Sequence, residues 1–254
     1  MSGRVAGKVA IVTGGSRGVG RADAELLAAE GARVILTDIN EEAGRAVAAE
    51  IGDAATFFKQ DVSSESDWQS LVATVEKDFG QLDVLINNAA ILEHGDILNA
   101  SYDSWQRIFR INADSVFLRI KTALPLIEKS GGGSIINMSS SSALMGMPAF
   151  AAYGSAKAAV RGLTQSVAVY CHKAGKGVRC NSVHPDGIVT PMTMEMAEKA
   201  AGMNLSDPAR SRAFVCQPQE VAKLVLFLAS DDSRHINGAA MTIDNGSTIT
   251  PPYV

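Results

Sequence analysis

Hydrophobic and polar positions alternate between two spacings along this chain. Short, nearly continuous apolar runs occur at 8–14 (KVAIVTG), 33–38 (RVILTD), 55–62 (ATFFKQDV), 82–90 (LDVLINNAA), 133–140 (GSIINMSS), 177–185 (GVRCNSVHP) and 240–246 (AMTIDNG). Between them lie stretches with helical periodicity at 21–31, 41–51, 65–79, 101–129, 152–173 and 218–230. Apolar runs of strand length bounded by glycine or polar residues predict buried strands, and apolar residues repeating every three to four positions predict helices with one face on the core. Strands apolar on both faces, each followed by a helix, predict a parallel sheet covered on both sides. Right-handed crossovers then give a doubly wound α/β fold with seven strands. Residues 188–217 break the rhythm and carry no strand pattern. So long an irregular segment in a compact domain predicts a functional loop, here a lid over a binding cleft.

Length and composition narrow the picture without naming a chemistry. The chain has 254 residues, 46% hydrophobic and 20% charged, with a formal net charge of −4. We expect one domain over 1–254, large enough to bury its core without disulfides. Lys and Arg are scattered, so nucleic acid and anionic membrane are not expected partners. No apolar run reaches the length of a membrane span, and the first fifteen residues lack the apolar stretch of a secretory signal, so a cytoplasmic location is expected. Cys171, Cys180 and Cys216 show no CxxC spacing and read as reduced core thiols. His94, His172, His184 and His235 show no metal-ligand spacing and read as structural or surface residues, so no metal is expected. Trp68 and Trp105, both in predicted helices, are expected to pack on the sheet.

Two motifs carry chemistry. The first is TGGSRGVG at 13–20, directly after the first predicted strand and opening a helix. Gly14, Gly18 and Gly20, with Val19 between the last two, let the backbone turn tightly and approach a pyrophosphate, whose charge the helix N-terminus stabilises. Asp38 ends the second predicted strand, 18 residues after Gly20, and Ile39 follows it. A carboxylate there accepts hydrogen bonds from an adenosine ribose and repels a 2′-phosphate, which favours NAD over NADP. Arg17 points the other way, because a guanidinium beside the loop could hold that phosphate.

The second motif is Tyr153 with Lys157, one helical turn later, among small residues (AAYGSAKAAV, 151–160). A free phenol titrates at about 10 and is a poor base near neutral pH. Residues i and i+4 share a helix face, and a nearby cation lowers a phenol's pKa. The pair is therefore expected to be an acid/base couple, with Lys157 acidifying Tyr153.

Taken with Ser140 at the end of the fifth predicted strand, Asn112 in the preceding helix and NNAA at 87–90, the chain resembles the short-chain dehydrogenase/reductase family from end to end. Within it, "TDINEEAG", "DVSSESDW" and "NSVHPDGIVTPM" look closest to bacterial 3-beta/17-beta-hydroxysteroid and alicyclic-alcohol dehydrogenases. The resemblance implies a Rossmann fold, a nicotinamide cofactor and interconversion of alcohols and carbonyls. It implies that Tyr153 is the general acid/base, that Lys157 holds the nicotinamide ribose, that Ser140 bonds the substrate oxygen, and that Asn112 supports a water-linked proton path. It places Asp61 and Val62 at the adenine, the backbone of Asn88, Ala89 and Ala90 along the cofactor, and Pro185, Gly187, Ile188 and Thr190 at the nicotinamide amide. Two positions depart from the family's pattern. Ala90 stands where glycine is usual, and Asp186 follows Pro185 where glycine is usual. The family commonly forms tetramers through helices matching 101–129 and 152–173 and through the last strand, so a homotetramer is expected.

The substrate pocket is expected from Ile91, Leu92, Ser142, Leu144, Met145, Met147, Met192 and the lid, which also holds Met194, Met196 and Met203. These are almost all apolar, which predicts a small hydrophobic alcohol or ketone, a cyclic one and a hydroxysteroid among the candidates. Two alternatives stand beside this reading. An NADPH-dependent 3-oxoacyl thioester reductase is favoured by Arg17 and opposed by Asp38 and by the lack of a basic patch for a carrier protein. A non-catalytic dinucleotide-binding sensor is opposed by the Ser-Tyr-Lys set.

Overall fold

A computed structural model of the chain describes residues 3–199 and 215–250. Its strands are β1 (Val9–Thr13), β2 (Arg33–Asp38), β3 (Ala55–Lys59), β4 (Val84–Asn87), β5 (Gly133–Met138), β6 (Val178–Pro185), β7 (Gly187–Ile188), β8 (Val215–Cys216) and β9 (Ala240–Ile243). Seven of them form one parallel sheet in the order β3-β2-β1-β4-β5-β6-β9. The chain winds outward from β1 in both directions, so the strand order reverses between β1 and β4. Ligands bind at such a switch point, beyond the carboxyl ends of the strands.

The helices are α1 (Gly18–Ala29), α2 (Glu41–Ile51), α3 (Glu65–Phe79), α4 (Tyr102–Phe109), α5 (Ser115–Lys129), α6 (Ala151–Ala174), α7 (Pro191–Lys199) and α8 (Pro218–Ala229). Successive strand side chains point to opposite faces, and the apolar runs fill both. Ala10, Val12, Val34, Leu36, Val84, Ile86 and Ile136 pack on one face with Leu27 of α1 and Val225 of α8. Val9, Ile11, Ile35, Leu85 and Ile135 pack on the other with Leu71 of α3, Ile120 of α5 and Val160 of α6. This is the doubly wound Rossmann-like arrangement expected from the spacing.

Several local expectations change. β3 stops at Lys59, not at residue 62. Beyond it Asp61 Oδ1 accepts from both the backbone N–H and the hydroxyl of Ser63 (2.8 Å each), which turns the chain toward α3. The helical stretch 101–129 is divided by a π turn at Arg110–Asp114. Such a turn carries one extra residue and marks functional sites; here it holds Asn112 inward, 1% exposed. The 188–217 segment has strand structure after all, because β7 pairs in parallel with β8, and α7 lies between them. Its stretch 200–214, with Met203, lies outside the described residues. Trp68 is buried as expected, its indole N–H donating to the Val62 carbonyl (3.0 Å). Trp105 instead stacks on Phe109 and joins a small cluster with Ala152 and Ala156 of α6.

Candidate active site

A cavity of about 410 Å³ opens at the carboxyl ends of β1, β2, β4, β5 and β6. Its wall includes the candidate cofactor residues Gly14, Arg17, Gly18, Val19, Asp38, Ile39, Asp61, Val62, Asn88, Ala89, Ala90, Pro185, Ile188 and Thr190, and the candidate catalytic residues Ser140, Tyr153 and Lys157. One pocket thus gathers residues spread over 177 positions of sequence, from Gly14 to Thr190.

The glycine turn fits a dinucleotide by its shape. Gly14 has φ +66°, and a β-carbon there would sit 3.0 Å from the Ala89 Cα. Gly20 does not line the cavity. A β-carbon on it would lie 2.2 Å from the Gly14 carbonyl oxygen, so its role is close packing of α1 under the turn. Where α2, α3 and α4 have side-chain caps from Asn40, Ser64 and Ser101, α1 begins at Arg17 with none. Its first backbone N–H groups, at Gly18 and Val19 on the cavity wall, therefore have no side-chain cap, as an anion site requires.

The carboxylate of Asp38 is fixed by its own neighbours. Oδ2 accepts from the Ser16 hydroxyl (2.6 Å) and backbone N–H (3.2 Å), and Oδ1 from the Asn40 N–H (3.0 Å). Arg17 is engaged elsewhere: its Nη1 lies 2.8 Å from Glu195 Oε1 on α7. Gly187 sits in β7 beside the cavity. Asp186 lines it and accepts from the Ser141 hydroxyl at 3.3 Å.

Ser140 follows β5 by two residues instead of ending it. Its hydroxyl accepts from the Ser142 N–H (3.1 Å) and caps a short 3-10 turn. Its carbonyl accepts from the imidazole Nδ1 of His184 (2.9 Å). His184 is wholly buried, and Nε2 meets the Ser182 hydroxyl at 2.8 Å. A carbonyl partner requires the proton on Nδ1, and burial lowers the ring's pKa, so the imidazole is neutral. A histidine read from sequence as merely structural or surface is thus the brace that holds Ser140. Asn112 grips the Ile91 backbone in both directions: Oδ1 accepts from its N–H and Nδ2 donates to its carbonyl, each at 2.8 Å.

Lys157 lies beside Tyr153 but gives its hydrogen bond elsewhere. The Lys157 ammonium donates to the Met138 carbonyl (2.7 Å) and lies 5.5 Å from the Tyr153 ring centroid. Burial pushes the phenol up to about 12, opposed by hydrogen bonding from Ser140 and not by Lys157. Burial, then the positive charge of Arg119, pushes Lys157 down to about 7. Desolvation penalises the charged form of both groups and opposes the acidification expected of the pair.

The substrate residues divide. Ile91, Leu92 and Met192 line the cavity. Ser142, Leu144, Met145 and Met147 do not. Ser142 is buried, its carbonyl 3.1 Å from where a β-carbon on Gly154 would stand, whereas the other three are partly exposed on the turn before α6. Met194 is 53% exposed. Sequence reasoning missed Gln60, Arg110 and Ile111 on the wall and the buried Arg119 behind it. No motif marks them. Arg110 is an exposed cation on the wall besides Arg17 and Lys157. Among the described residues there is no cluster that could hold a metal ion, no helix is long and apolar enough to cross a membrane, and the three cysteines are free thiols.

Comparison with known proteins agrees with this fold. Residues 14–248 match a family model described as Enoyl-(Acyl carrier protein) reductase. The chain is 44% identical over 248 residues to a 3-beta-hydroxysteroid dehydrogenase of Comamonas testosteroni, covering 96% of this chain and 97% of that protein. It is 42% identical to a cyclopentanol dehydrogenase of Comamonas sp. (strain NCIMB 9872), covering 97% and 99%. The crystal structure of levodione reductase superposes with a TM-score of 0.91 at 29% identity, covering 98% of this chain and all of that one. Dehydrogenases of this kind use nicotinamide cofactors, and from sequence, fold and site together the chain belongs to the short-chain dehydrogenase/reductase family.

Proposed function

We propose that this protein is an NAD-dependent dehydrogenase that interconverts a hydrophobic cyclic secondary alcohol and its ketone, with hydroxysteroids the leading substrate class. The observation that carries this reading is the convergence of Ser140, Tyr153 and Lys157 on one cavity whose wall continues to the glycine turn and Asp38. The relatives named for steroid and cyclopentanol substrates support the ring-shaped class. The apolar Ile91, Leu92, Ile188 and Met192 on the wall suit such a ring.

The nicotinamide, when bound, supplies the hydride acceptor or donor; the chain supplies position and protons. Tyr153, protonated near neutral pH, would donate its proton to the carbonyl oxygen in reduction; in oxidation its phenolate form would accept the alcohol proton. Ser140, braced by His184, would hold the same oxygen. Lys157 would bond the nicotinamide ribose. Asn112, through Ile91, would steady the backbone beside the cofactor and support the proton path. Asp38 favours NAD, and the Arg17–Glu195 pair adds to that preference, since the guanidinium that would receive a 2′-phosphate already has a carboxylate partner. Residues 1–254 would act as one domain, with α7 as part of a lid.

Exposed Phe117 on α5 and Val169 and Tyr170 on α6 favour burial of these helices against other copies, as a homotetramer. Incubation with NAD and a panel of cyclic and steroidal alcohols, followed by absorbance of the reduced nicotinamide, tests the reading. Turnover on none of them, with turnover of 3-oxoacyl thioesters by NADPH, would replace it.

A further inference from the structure

Behind the cavity wall lies a cation that neither the fold nor the proposed mechanism uses. Arg119 of α5 is 0% exposed. Its guanidinium donates to Ser115 Oγ (2.7 Å), to Thr13 Oγ1 (3.2 Å) and to the Ala89 carbonyl (3.3 Å). Nε has no partner among the described residues, and no carboxylate among them forms an ion pair with this guanidinium. A buried charge without a counter-ion costs stability, so its retention calls for a function.

Its contacts indicate one. Thr13 Oγ1 also accepts from the N–H groups of Asn88 and Ala89 (3.0 and 3.1 Å), tying the end of β1 to the loop after β4. Ser115 Oγ donates to the Ile111 carbonyl (2.5 Å), inside the π turn that carries Asn112. One guanidinium thus joins the glycine-turn strand, the Ala89 backbone on the cavity wall and the Asn112 turn. Lys157 lines the same cavity as Ala89.

We propose that Arg119 is a positioning residue for hydride transfer: its buried guanidinium clamps the Ala89 loop to the Asn112 turn, behind the cavity wall that Ala89 shares with Lys157. The proposal rests on the dehydrogenase reading for its role in turnover but not for its effect on Lys157. The other titratable groups are Tyr153 and Arg161 on the helix of Lys157 and His184 on β6, with Arg17, Asp38, Asp61, Arg110 and Asp186 elsewhere on the cavity wall. Of these surroundings, Arg119 is the one whose charge lowers Lys157 in addition to burial.

The test follows the Lys157 Cε resonance in the full chain labelled with ¹³C-lysine, assigned through Lys157→Met, against pH and without substrate. In Arg119→Met and Arg119→Gln the Lys157 midpoint should rise by at least about half a pH unit, because a nearby like charge is lost. In Arg119→Lys it should stay near that of the parent. The kcat profile for a cyclic alcohol with NAD should move in the same direction. Unmoved midpoints in the neutral variants, or failure of both to reach the native fold while Arg119→Lys reaches it, would reduce Arg119 to a structural brace and overturn the proposal. A shifted midpoint in a protein that oxidises no cyclic alcohol would leave this inference standing and remove the dehydrogenase reading instead.

Discussion

The ammonium of Lys157 sits over the ring of Tyr153, 5.5 Å from its centroid, and gives its hydrogen bond to the Met138 carbonyl and not to the phenol. The two residues share a helix face, and desolvation is the leading influence on each. The phenol stays protonated through the neutral range, which suits a proton donor to a ketone and makes alcohol oxidation the direction that gains from rising pH. Tyr153→Phe removes the exchangeable proton and little volume. We expect it to keep NAD affinity within about threefold and to lose at least about a hundredfold in kcat, measured by isothermal titration and steady-state kinetics. Parent-like turnover would remove the phenol from the mechanism.

Lys157 makes a second prediction, about stability. Its folded pKa of about 7 lies below the ordinary value, so the unfolded chain binds more protons between the two. Stability therefore rises with pH across that window, and the burial penalty is felt in full below it. Lys157→Met should abolish the rise. Relative to the variant, the parent should gain on the order of 2 kcal/mol between about pH 7 and about pH 9, read from urea midpoints. Parallel pH curves for the two proteins would mean that Lys157 titrates normally.

On the proposed reading, cofactor choice would depend on Asp38 and, through Arg17, on Glu195. Asp38→Ala should weaken NAD and relieve repulsion of a 2′-phosphate, shifting the NAD/NADP ratio of kcat/KM by about tenfold or more. Glu195→Gln should leave NAD nearly unchanged and strengthen NADP by a smaller factor, by freeing Arg17. If neither variant alters the ratio, the preference is set elsewhere in the pocket.

His184 acts at one remove, through the Ser140 carbonyl. His184→Phe fills the space but cannot donate to that oxygen. We expect a loss of about tenfold in kcat, with cofactor affinity retained. His184→Gln, which can donate an N–H, should recover part of it. Equal losses in both variants would argue that only the packing of the ring matters.

Much of this protein was legible in its sequence because the signal was local. Apolar runs and helical spacing sufficed for the sheet, its parallel sense and its two covered faces, since each strand carries its own continuous apolar run and each helix its own stripe. The glycine turn and Asp38 could be read as a nucleotide cradle for the same reason: the chemistry lies within one strand, turn and helix. Tyr153 and Lys157 are four residues apart, and helical geometry alone places them side by side.

What only the tertiary structure decided concerns groups whose surroundings come from distant segments. The sign of the Tyr153 and Lys157 shifts depends on how much water the packed cavity excludes, which no spacing encodes. Arg17 acquires Glu195 from 178 positions away. His184 meets Ser140 across adjacent strands, and Arg119 sits among Thr13, Ala89 and Ser115 only because β1, β4 and α5 converge there. Local periodicity specifies elements through short-range sterics and burial, whereas charge state and hydrogen-bond partnership depend on the dielectric and the neighbours that the assembled fold creates.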